Sequence, residues 1–413
     1  MEKQEQAPAS KELKIFFAIV AIYGFAMGMT DSVISNFFMD AYNVTAVQRG
    51  FLEFPRELPG LLCFLIIALT SALGDVRLAI ISQLLFAFGA LVLGLFTPTF
   101  AIMALFVFIN SLGMHVFFPL QDSIGMSIIG KNGLGKRMGQ YNGIRTAFLM
   151  LAGIVVFIGF RTGFFSFKTQ IKMPFILGAA ASIAVAALFF LLYKKYKVYG
   201  EVRKKQFRII IKKEYKIYYV LAILVGVHRQ IMFVFGPWVL IEILRRQADT
   251  LAFLGIISSF LGIFMLPAVG RLIDRFGTKR LLLAEGFVFI FVYIIYGILT
   301  RGFASGTLAH AGLPLIIIFG FFILDRLAMQ LGLVRVAYLR SIAVDPADIT
   351  PTLSTGLSMD HVVSIICAYL GGLVWFQFGA QYVFYAAAVL SIGNVVAALM
   401  IKQKRMNTAC KTA

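Results

Sequence analysis

Ionisable side chains occur inside long apolar stretches of this sequence, and their types define the chemistry that the chain could perform. A charged group inside a membrane segment is costly, so each one is a candidate for function. Carboxylates and histidines can exchange protons, and we place proton coupling at Asp31, Glu53, Glu57, Asp360 and His361. Arginine offers paired N–H donors that fit a carboxylate or a phosphate. We therefore predict that a polar solute contacts His115, His228, Arg229, Gln230, Asp325, Arg326 and Gln330.

The first acidic cluster lies in two neighbouring apolar segments. Glu53 and Arg56 are three residues apart, so on a helix they can form a local ion pair. That pairing leaves Asp31 or Glu57 without a local partner and able to bind a proton or a cation. The alternative is that Asp31 forms a structural bridge to the segment that holds Glu57.

A polar triplet, His228, Arg229 and Gln230, lies in the middle of another apolar run. Successive helical residues are about 100° apart, so we expect the triplet to fan over one side of its helix and to face a cavity. Arg229 then either contacts an anionic substrate or forms a bridge to Asp325. Asp325 can equally neutralise its neighbour Arg326.

Histidines and acids in other segments allow both a functional and a structural interpretation. Asp360 and His361 are adjacent and form a candidate proton relay, whereas the alternative for a single histidine is a packing role. The same alternatives hold for His115. Asp122 and Arg145 are expected at similar depth in neighbouring helices, which predicts a structural ion pair.

The composition indicates which elements must position these residues. Of the 413 residues, 60% are hydrophobic and 14% are charged, against about 25% charged in soluble domains. Apolar runs of roughly 20 residues recur, which is the length that crosses a bilayer as a helix. Pro55 and Pro59 predict a kink in the second of these spans. The sequence predicts an all-α membrane protein with twelve transmembrane spans, at 14–38, 47–73, 78–97, 100–123, 139–160, 172–194, 215–240, 250–270, 280–299, 312–335, 352–375 and 380–402.

The basic residues follow the connections between the spans. The chain carries 38 Lys and Arg against 19 Asp and Glu, a formal net charge of +19. Nucleic-acid binding is not expected, because these residues lie in alternate loops rather than on one folded soluble face. The positive-inside rule places the basic loops and both termini in the cytoplasm. We expect a monomer in the inner or plasma membrane.

A long basic segment at 194–216 divides the chain near its middle. We predict an N-terminal six-helix bundle at 1–193, a cytoplasmic connection at 194–216 and a C-terminal six-helix bundle at 217–413. The connection is either a solvated linker or a helix on the anionic inner leaflet, since apolar residues at 207 and 209–211 stand among basic ones.

Residues 270–280, Gly-Arg-Leu-Ile-Asp-Arg-Phe-Gly-Thr-Lys-Arg, form a short polar hairpin between two spans. They resemble the signature loop of the major facilitator superfamily, G-x-x-x-D-R-x-G-x-K-R, at each spaced position. The resemblance implies that this loop helps to lock the outward-open state, through Gly270, Asp274, Arg275, Gly277 and Arg280. A degenerate copy is expected at 71–77, with Asp75 in the place of Asp274 and without the later glycine.

The resemblance covers essentially the whole chain and implies two pseudo-symmetric six-helix halves around a central cavity, with transport by alternating access. We expect a secondary active transporter for a small polar or anionic organic solute, coupled to protons. The alternative is a proton-coupled exporter of drugs or amphiphiles, which the 42 phenylalanines favour. The Gly-Pro motif of drug/proton antiporters is replaced here by Gly143-Ile144, which argues against that alternative.

No cofactor, metal or catalytic centre is expected. Cys63, Cys367 and Cys410 lack metal or disulfide spacing, and the chain has no G-x-x-x-x-G-K-[ST] phosphate-binding loop. A membrane enzyme would need a large soluble loop, and no predicted loop exceeds roughly 25 residues. The expected partners are a small-molecule substrate, protons and the lipid bilayer.

Overall fold

The computed structural model describes residues 11–129, 134–195, 211–345 and 348–401. Helices dominate these residues, as the apolar runs predict, because a helix satisfies its own backbone hydrogen bonds in lipid. The helices are α1 (Lys11–Asp31), α2 (Ile34–Tyr42), α3 (Ala46–Phe51), α4 (Glu53–Leu69), α5 (Asp75–Leu95), α6 (Phe100–Ile129), α7 (Leu134–Arg161), α8 (Met173–Lys195), α9 (Lys216–Trp238), α10 (Ala248–Ala304), α11 (Leu313–Ala328), α12 (Gly332–Ile342), α13 (Ile349–Phe378) and α14 (Ala380–Leu399).

Eleven helical segments among the described residues are long and apolar enough to cross a membrane. They correspond to the predicted spans except the second, 47–73, which forms the two shorter helices α3 and α4, with a break at Leu52. The break lies upstream of both prolines. Pro55 is accommodated in the first turn of α4, where no backbone donor is needed, and Pro59 remains inside the helix.

Other spans are interrupted beside charged residues. α1 ends at Asp31, and the same span resumes as α2. A 3₁₀ turn, Met329–Leu331, follows the adjacent pair Asp325 and Arg326, whereas a π-helical turn, Val239–Ile243, ends the span that begins with α9. The breaks after Asp31 and Ala328 present backbone groups and dipole ends within membrane spans, as discontinuous helices of transporters commonly do.

The signature loop is a single break in a continuous helix. α10 is helical on both sides of Gly277, whose φ of 76° and ψ of 164° require glycine. Gly74, just before α5, has nearly the same conformation, with φ 75° and ψ 155°. When the two copies are aligned by backbone conformation, Gly74 corresponds to Gly277. The prediction that the first copy lacks this glycine is wrong, and Asp75 corresponds to Thr278 rather than to Asp274.

We call the end of the bundle that holds Gly74 and Gly277 the loop end, and the opposite end the far end. Towards the far end, one buried apolar cluster, with Phe37 and Trp238 among its members, joins α1–α8 to α9–α14. Towards the loop end, α1–α8 pack around Phe117, and α9–α14 pack separately around Leu339. The two sets of helices are thus joined by apolar packing at the far end.

Two glycines permit this closure of the far end. α3 and α13 cross so closely that a Cβ atom on Gly50 would overlap the carbonyl oxygen of Ala368. A Cβ atom on Gly372 would lie 2.7 Å from the carbonyl oxygen of Ala46. A larger residue at either position would push the two helices apart.

The predicted basic connection at 194–216 lies mostly outside the described residues. Its two interpretations and the division of the chain around it therefore stay predictions. At its described end the Lys212 ammonium donates to the Asp348 carboxylate, and this hydrogen bond raises the pKa of Lys212. Tyr215 donates to the same carboxylate at 2.7 Å, which fixes the start of α9.

Candidate functional site

The site is built around Glu53, at the start of α4, whose side chain is completely buried. Its Oε1 accepts hydrogen bonds from Arg49 Nη1 at 2.5 Å and from Arg56 Nη1 at 2.7 Å. Its Oε2 accepts one from Gln230 Nε2 of α9 at 2.9 Å. The predicted pair of Glu53 with Arg56 is confirmed. Protonation of Glu53 would leave two buried guanidinium groups without their counter-ion, so the environment favours a permanent negative charge.

Asp31, the last residue of α1, lies beside this network. Its Oδ1 is 4.0 Å from Arg56 Nη2, and its side chain is 33% exposed. With Thr30, Asn110 and Ser111 it lines a cavity of about 20 Å³, which has room for roughly one water molecule. The geometry agrees with the structural bridge that was the alternative for Asp31, although the contact is long.

Glu57 of α4 meets His361 of α13 across the two sets of helices. Glu57 Oε2 and His361 Nδ1 are 2.7 Å apart, so a proton joins a carboxylate and an imidazole. The His115 ring of α6 lies 5.4 Å from the His361 ring, and its Nδ1 is 3.0 Å from the backbone carbonyl of Ser111. The side chains of Glu57, His115 and His361 offer ligand atoms within 4.8 Å of one another and could hold a metal ion. Asp360, the neighbour of His361, turns to a different helix.

Arg229 of α9 pairs with Asp360 of α13. Its Nη2 is 2.5 Å from Asp360 Oδ2 and donates to Ser364 Oγ at 3.3 Å. The predicted bridge to Asp325 is wrong, because Asp325 is buried and accepts a hydrogen bond from Tyr293 at 3.1 Å. The Arg229 side chain nevertheless remains 41% exposed, which leaves part of the guanidinium open to a ligand.

The polar triplet does not face one side, so that prediction is wrong. His228 is fully buried, with its ring 5.1 Å from the Phe289 ring and 5.5 Å from the Tyr293 ring of α10. Arg229 and Gln230 point instead towards α13 and α4. Steps of about 100° per residue are large enough to direct adjacent side chains into different neighbours.

Arg326 of α11 lies against aromatic rings. Its guanidinium carbon is 5.6 Å from the centre of the Phe233 ring and 5.2 Å from that of the Phe322 ring. Within the described part of the chain Arg326 forms no hydrogen bond or ion pair within 4 Å, and the neighbouring Asp325 carboxylate interacts with it electrostatically at longer range. Gln330 lies one helical turn after Arg326, and its side chain lies close to Gly262 of α10.

Arg145 of α7 has surroundings similar to those of Arg326. The predicted ion pair with Asp122 is wrong, because Asp122 Oδ1 accepts a hydrogen bond from Tyr141 at 2.6 Å and no ion pair joins it to Arg145 in the described residues. Tyr141 lies one turn nearer the loop end, at the depth of Asp122. The Arg145 guanidinium lies 6.0 Å from the Phe118 ring. The sequence signal was an arginine inside an apolar span, which was interpreted as one partner of an ion pair.

The signature-loop residues are largely exposed. Asp274, Arg275 and Arg280 are exposed, and Asp274 makes no hydrogen bond or ion pair with the residues that the structure describes. Asp75 is buried at the start of α5 and accepts a hydrogen bond from Ser123 Oγ at 2.5 Å. The locking role of the loop stays a prediction.

Membrane-spanning helices that are interrupted beside charged residues are typical of secondary transporters. The family model of the Major Facilitator Superfamily matches residues 16–344. The chain belongs to the major facilitator superfamily, and it is an integral membrane protein and a secondary transporter. The predicted fold class is confirmed.

Solved structures of other transporters share this fold. The nucleoside transporter NupG matches with a TM-score of 0.73 and 13% identity, over 96% of this chain and 100% of that chain. An auto-inhibited peptide transporter of the POT family has a TM-score of 0.76 and 12% identity, over 98% and 99%. A bacterial homologue of the iron transporter ferroportin, in an inward-facing state, has a TM-score of 0.69 and 13% identity, over 95% and 99%. No curated protein sequence matches the chain significantly. At these identities the likeness is one of fold alone.

Proposed function

We propose that this transporter moves a small anionic organic solute in a process coupled to protons, by alternating access between the two halves of the chain. The observation that carries the proposal is the pair of guanidinium groups on Arg145 and Arg326, which lie inside membrane spans and form no hydrogen bond or close ion pair among the described residues. An unpaired cation is costly at this depth, so its presence calls for a ligand.

The positions of the two arginines favour a small anion. Arg145 lies on α7, in the first half of the chain, and Arg326 lies on α11, in the second. Each keeps a permanent charge and a planar set of donors that fits a carboxylate or a phosphate. Arg229 contributes less, because Asp360 already neutralises it. A solute with one anionic group and a polar body suits this set and would draw the two halves together.

We assign proton coupling to Glu57 and His361. Glu53 is held by two arginines and Gln230, so its protonation would leave permanent charges unbalanced. The partner of Glu57 is itself titratable, so this pair can gain or lose a proton with less disruption. The contact joins α4 to α13, which makes the association of the halves sensitive to its proton.

The direction of opening follows from the packing. The apolar cluster that joins the halves lies towards the far end. The positive-inside rule places the loop end in the cytoplasm, so we infer an inward-facing arrangement in the inner or plasma membrane, with both termini cytoplasmic. In this inward-facing state Asp274 is exposed. A residue that locks the outward-open state is expected to lose its contacts, and so to be exposed, in the inward-facing state.

The exporter alternative receives no support from the distribution of phenylalanines. Phe264 and Phe376, for example, are 63% and 72% exposed on apolar helices, where they face lipid. Phe118, Phe233 and Phe322 lie against arginines rather than forming an open apolar cavity. The large number of phenylalanines therefore does not indicate a drug-binding pocket.

A thermal-unfolding screen of the purified protein tests the substrate class, since a ligand stabilises the state that binds it. A panel of small carboxylates and phosphates is compared with neutral and cationic analogues of similar size. We expect one or more anions to raise the unfolding temperature. Arg326→Gln should abolish that rise, because it removes the charge and the paired donors that hold the anion. The rise is measured for each variant relative to its own unfolding temperature without ligand.

Arg301→Gln is the matched control, because Arg301 is an exposed arginine near the far end. It should keep the full response to the anion. Stabilisation by cations or neutral amphiphiles alone, or an equal response in Arg326→Gln, would exclude the proposed anion site.

A further inference from the structure

We propose that Glu57, His115 and His361 form a binding site for a divalent transition metal ion, of which Zn²⁺ is the representative, and that the ion ties the two halves together. The three side chains place one carboxylate oxygen and two imidazole nitrogens within 4.8 Å of one another. Ligand atoms around tetrahedral Zn²⁺ are about 3.3 Å apart, so movements of about 1 Å would complete the site.

The hydrogen bond of His115 supports this assignment independently of the cluster. His115 Nδ1 lies 3.0 Å from both the backbone carbonyl oxygen and the hydroxyl oxygen of Ser111. Because the Ser111 hydroxyl donates to the carbonyl oxygen of Arg56, both of these oxygens can accept the Nδ1 hydrogen, which leaves Nε2 with its lone pair. Histidines that bind metals typically donate their other ring N–H to a carbonyl or carboxylate in this way. The imidazole of His115 is therefore fixed in the tautomer that a metal ligand needs.

The backbone of α4 supplies the space. Gly60 lies one turn after Glu57, and a Cβ atom on it would lie 2.7 Å from both His115 Cδ2 and His361 Nε2. The absence of a side chain at Gly60 lets imidazoles from α6 and α13 converge beside the carboxylate. A helix with any other residue at this position would hold the two rings apart.

The donor set selects the kind of ion. Two imidazoles and one carboxylate suit Zn²⁺ and neighbouring first-row metals, whereas Ca²⁺ and Mg²⁺ prefer oxygen ligands alone. Three protein ligands leave one position of a tetrahedral ion open. The ion would occupy the place of the proton that joins Glu57 to His361.

The effect of the ion follows from where its ligands lie. Glu57 and His115 come from the first half of the chain, and His361 comes from the second. A bound metal ion would hold these helices in the arrangement seen here, so it would stabilise this state and slow transport. This inference rests on the geometry of the three side chains and does not depend on the substrate or on proton coupling.

Calorimetric titration of the chelator-treated, full-length protein in detergent with Zn²⁺ tests the site. We expect a single high-affinity equivalent, and a loss of affinity of at least about tenfold in His115→Gln and in His361→Gln. His310→Gln is the matched control, because His310 is an exposed imidazole near the far end, and it should bind as the wild type does. Ca²⁺ should not bind.

A second measurement uses only the wild-type protein, so it tests the site even if the histidine variants fail to fold. Co²⁺ added to the wild-type protein should give the intense visible absorption of a four-coordinate site, and one equivalent of Zn²⁺ should remove it. The inference is overturned if Zn²⁺ binds no more tightly to the wild type than to a folded His115→Gln or His361→Gln variant. It is also overturned if Co²⁺ shows only the weak absorption of a six-coordinate surface ion. Neither outcome would affect the anion screen.

Discussion

Arg229 and Asp360 approach each other to 2.5 Å in the middle of the bundle, and the arginine side chain is still 41% exposed. Such a pair stabilises the fold only while both charges are present, because removal of one leaves the other uncompensated. The pair can therefore be tested separately from substrate binding, by changing one charge and then both.

Arg229→Gln alone should lower the free energy of unfolding by about 1–3 kcal/mol. Removing one partner of a fully buried ion pair typically costs more, about 3–5 kcal/mol. Asp360→Asn in the same chain should restore most of the loss, as measured by thermal unfolding in detergent. Asp325→Asn is the matched control and should not restore it, because Asp325 bonds to Tyr293. Rescue by Asp325→Asn rather than by Asp360→Asn would contradict the observed pairing.

The contacts that could be predicted from the sequence are those within one helix. The pair of Glu53 with Arg56 follows from a spacing of three residues. Arg229 and Asp360 lie on helices that are far apart in the chain. Whether Arg229 contacts Asp360 or Asp325 depends on how each helix is rotated about its axis. The burial of His228 is likewise set by rotation, which a triplet of polar residues does not reveal.

At the scale of elements, the crossing of α3 and α13 holds the far end closed. Gly50 lies where a side chain would overlap the carbonyl oxygen of Ala368. Transport by alternating access requires this crossing to open and close. A bulky residue at Gly50 should therefore shift the population towards a state with an open far end.

Gly50→Val should increase the labelling of a reporter cysteine placed at Ala46, which is 4% exposed in the closed crossing. The measurement uses a membrane-impermeant maleimide and a background in which Cys63, Cys367 and Cys410 are replaced by serine. Gly255→Val is the matched control, because a Cβ atom on Gly255 meets nothing within 4 Å. Equal labelling in the Gly50 and Gly255 variants would contradict a closed far end.

The lengths of the spans could be predicted from hydropathy, but their interruptions could not. Two prolines indicated a kink in the second span, yet the break is at Leu52, since Pro55 fits the first turn of α4. The predicted alignment of the two signature loops was also wrong, because it was based on an acidic residue and not on backbone conformation. The acid at Asp75 suggested one alignment, whereas the left-handed conformation of Gly74 fixes another.

At the scale of the whole molecule, the contacts between the halves divide by depth. At the far end Asn36 donates to the carbonyl oxygen of Arg246 at 3.3 Å. At mid-depth Glu57 contacts His361 at 2.7 Å. Under the proposed alternating access the far-end contacts would break in each transport cycle, and those at mid-depth would respond to a solute or a proton. The family and its fold could be predicted from the sequence, but this arrangement required the packing of the helices.

Proton movement in proteoliposomes tests the proposed coupling of anion transport to protons through Glu57. Vesicles that enclose a pH indicator are given a gradient of the anion identified by thermal unfolding, with no initial pH difference. In the wild type we expect internal pH to change as the solute enters. Glu57→Gln should keep solute exchange between the two sides and lose the solute-dependent change in pH, because exchange needs no net proton movement.

Glu214→Gln is the matched control, because Glu214 is an exposed carboxylate at the loop end, and it should behave as the wild type does. We expect a coupled pH change in the wild type and in this control, and no such change in Glu57→Gln. A Glu57→Gln variant that moves as many protons per solute as the wild type would exclude Glu57 as the site of proton coupling.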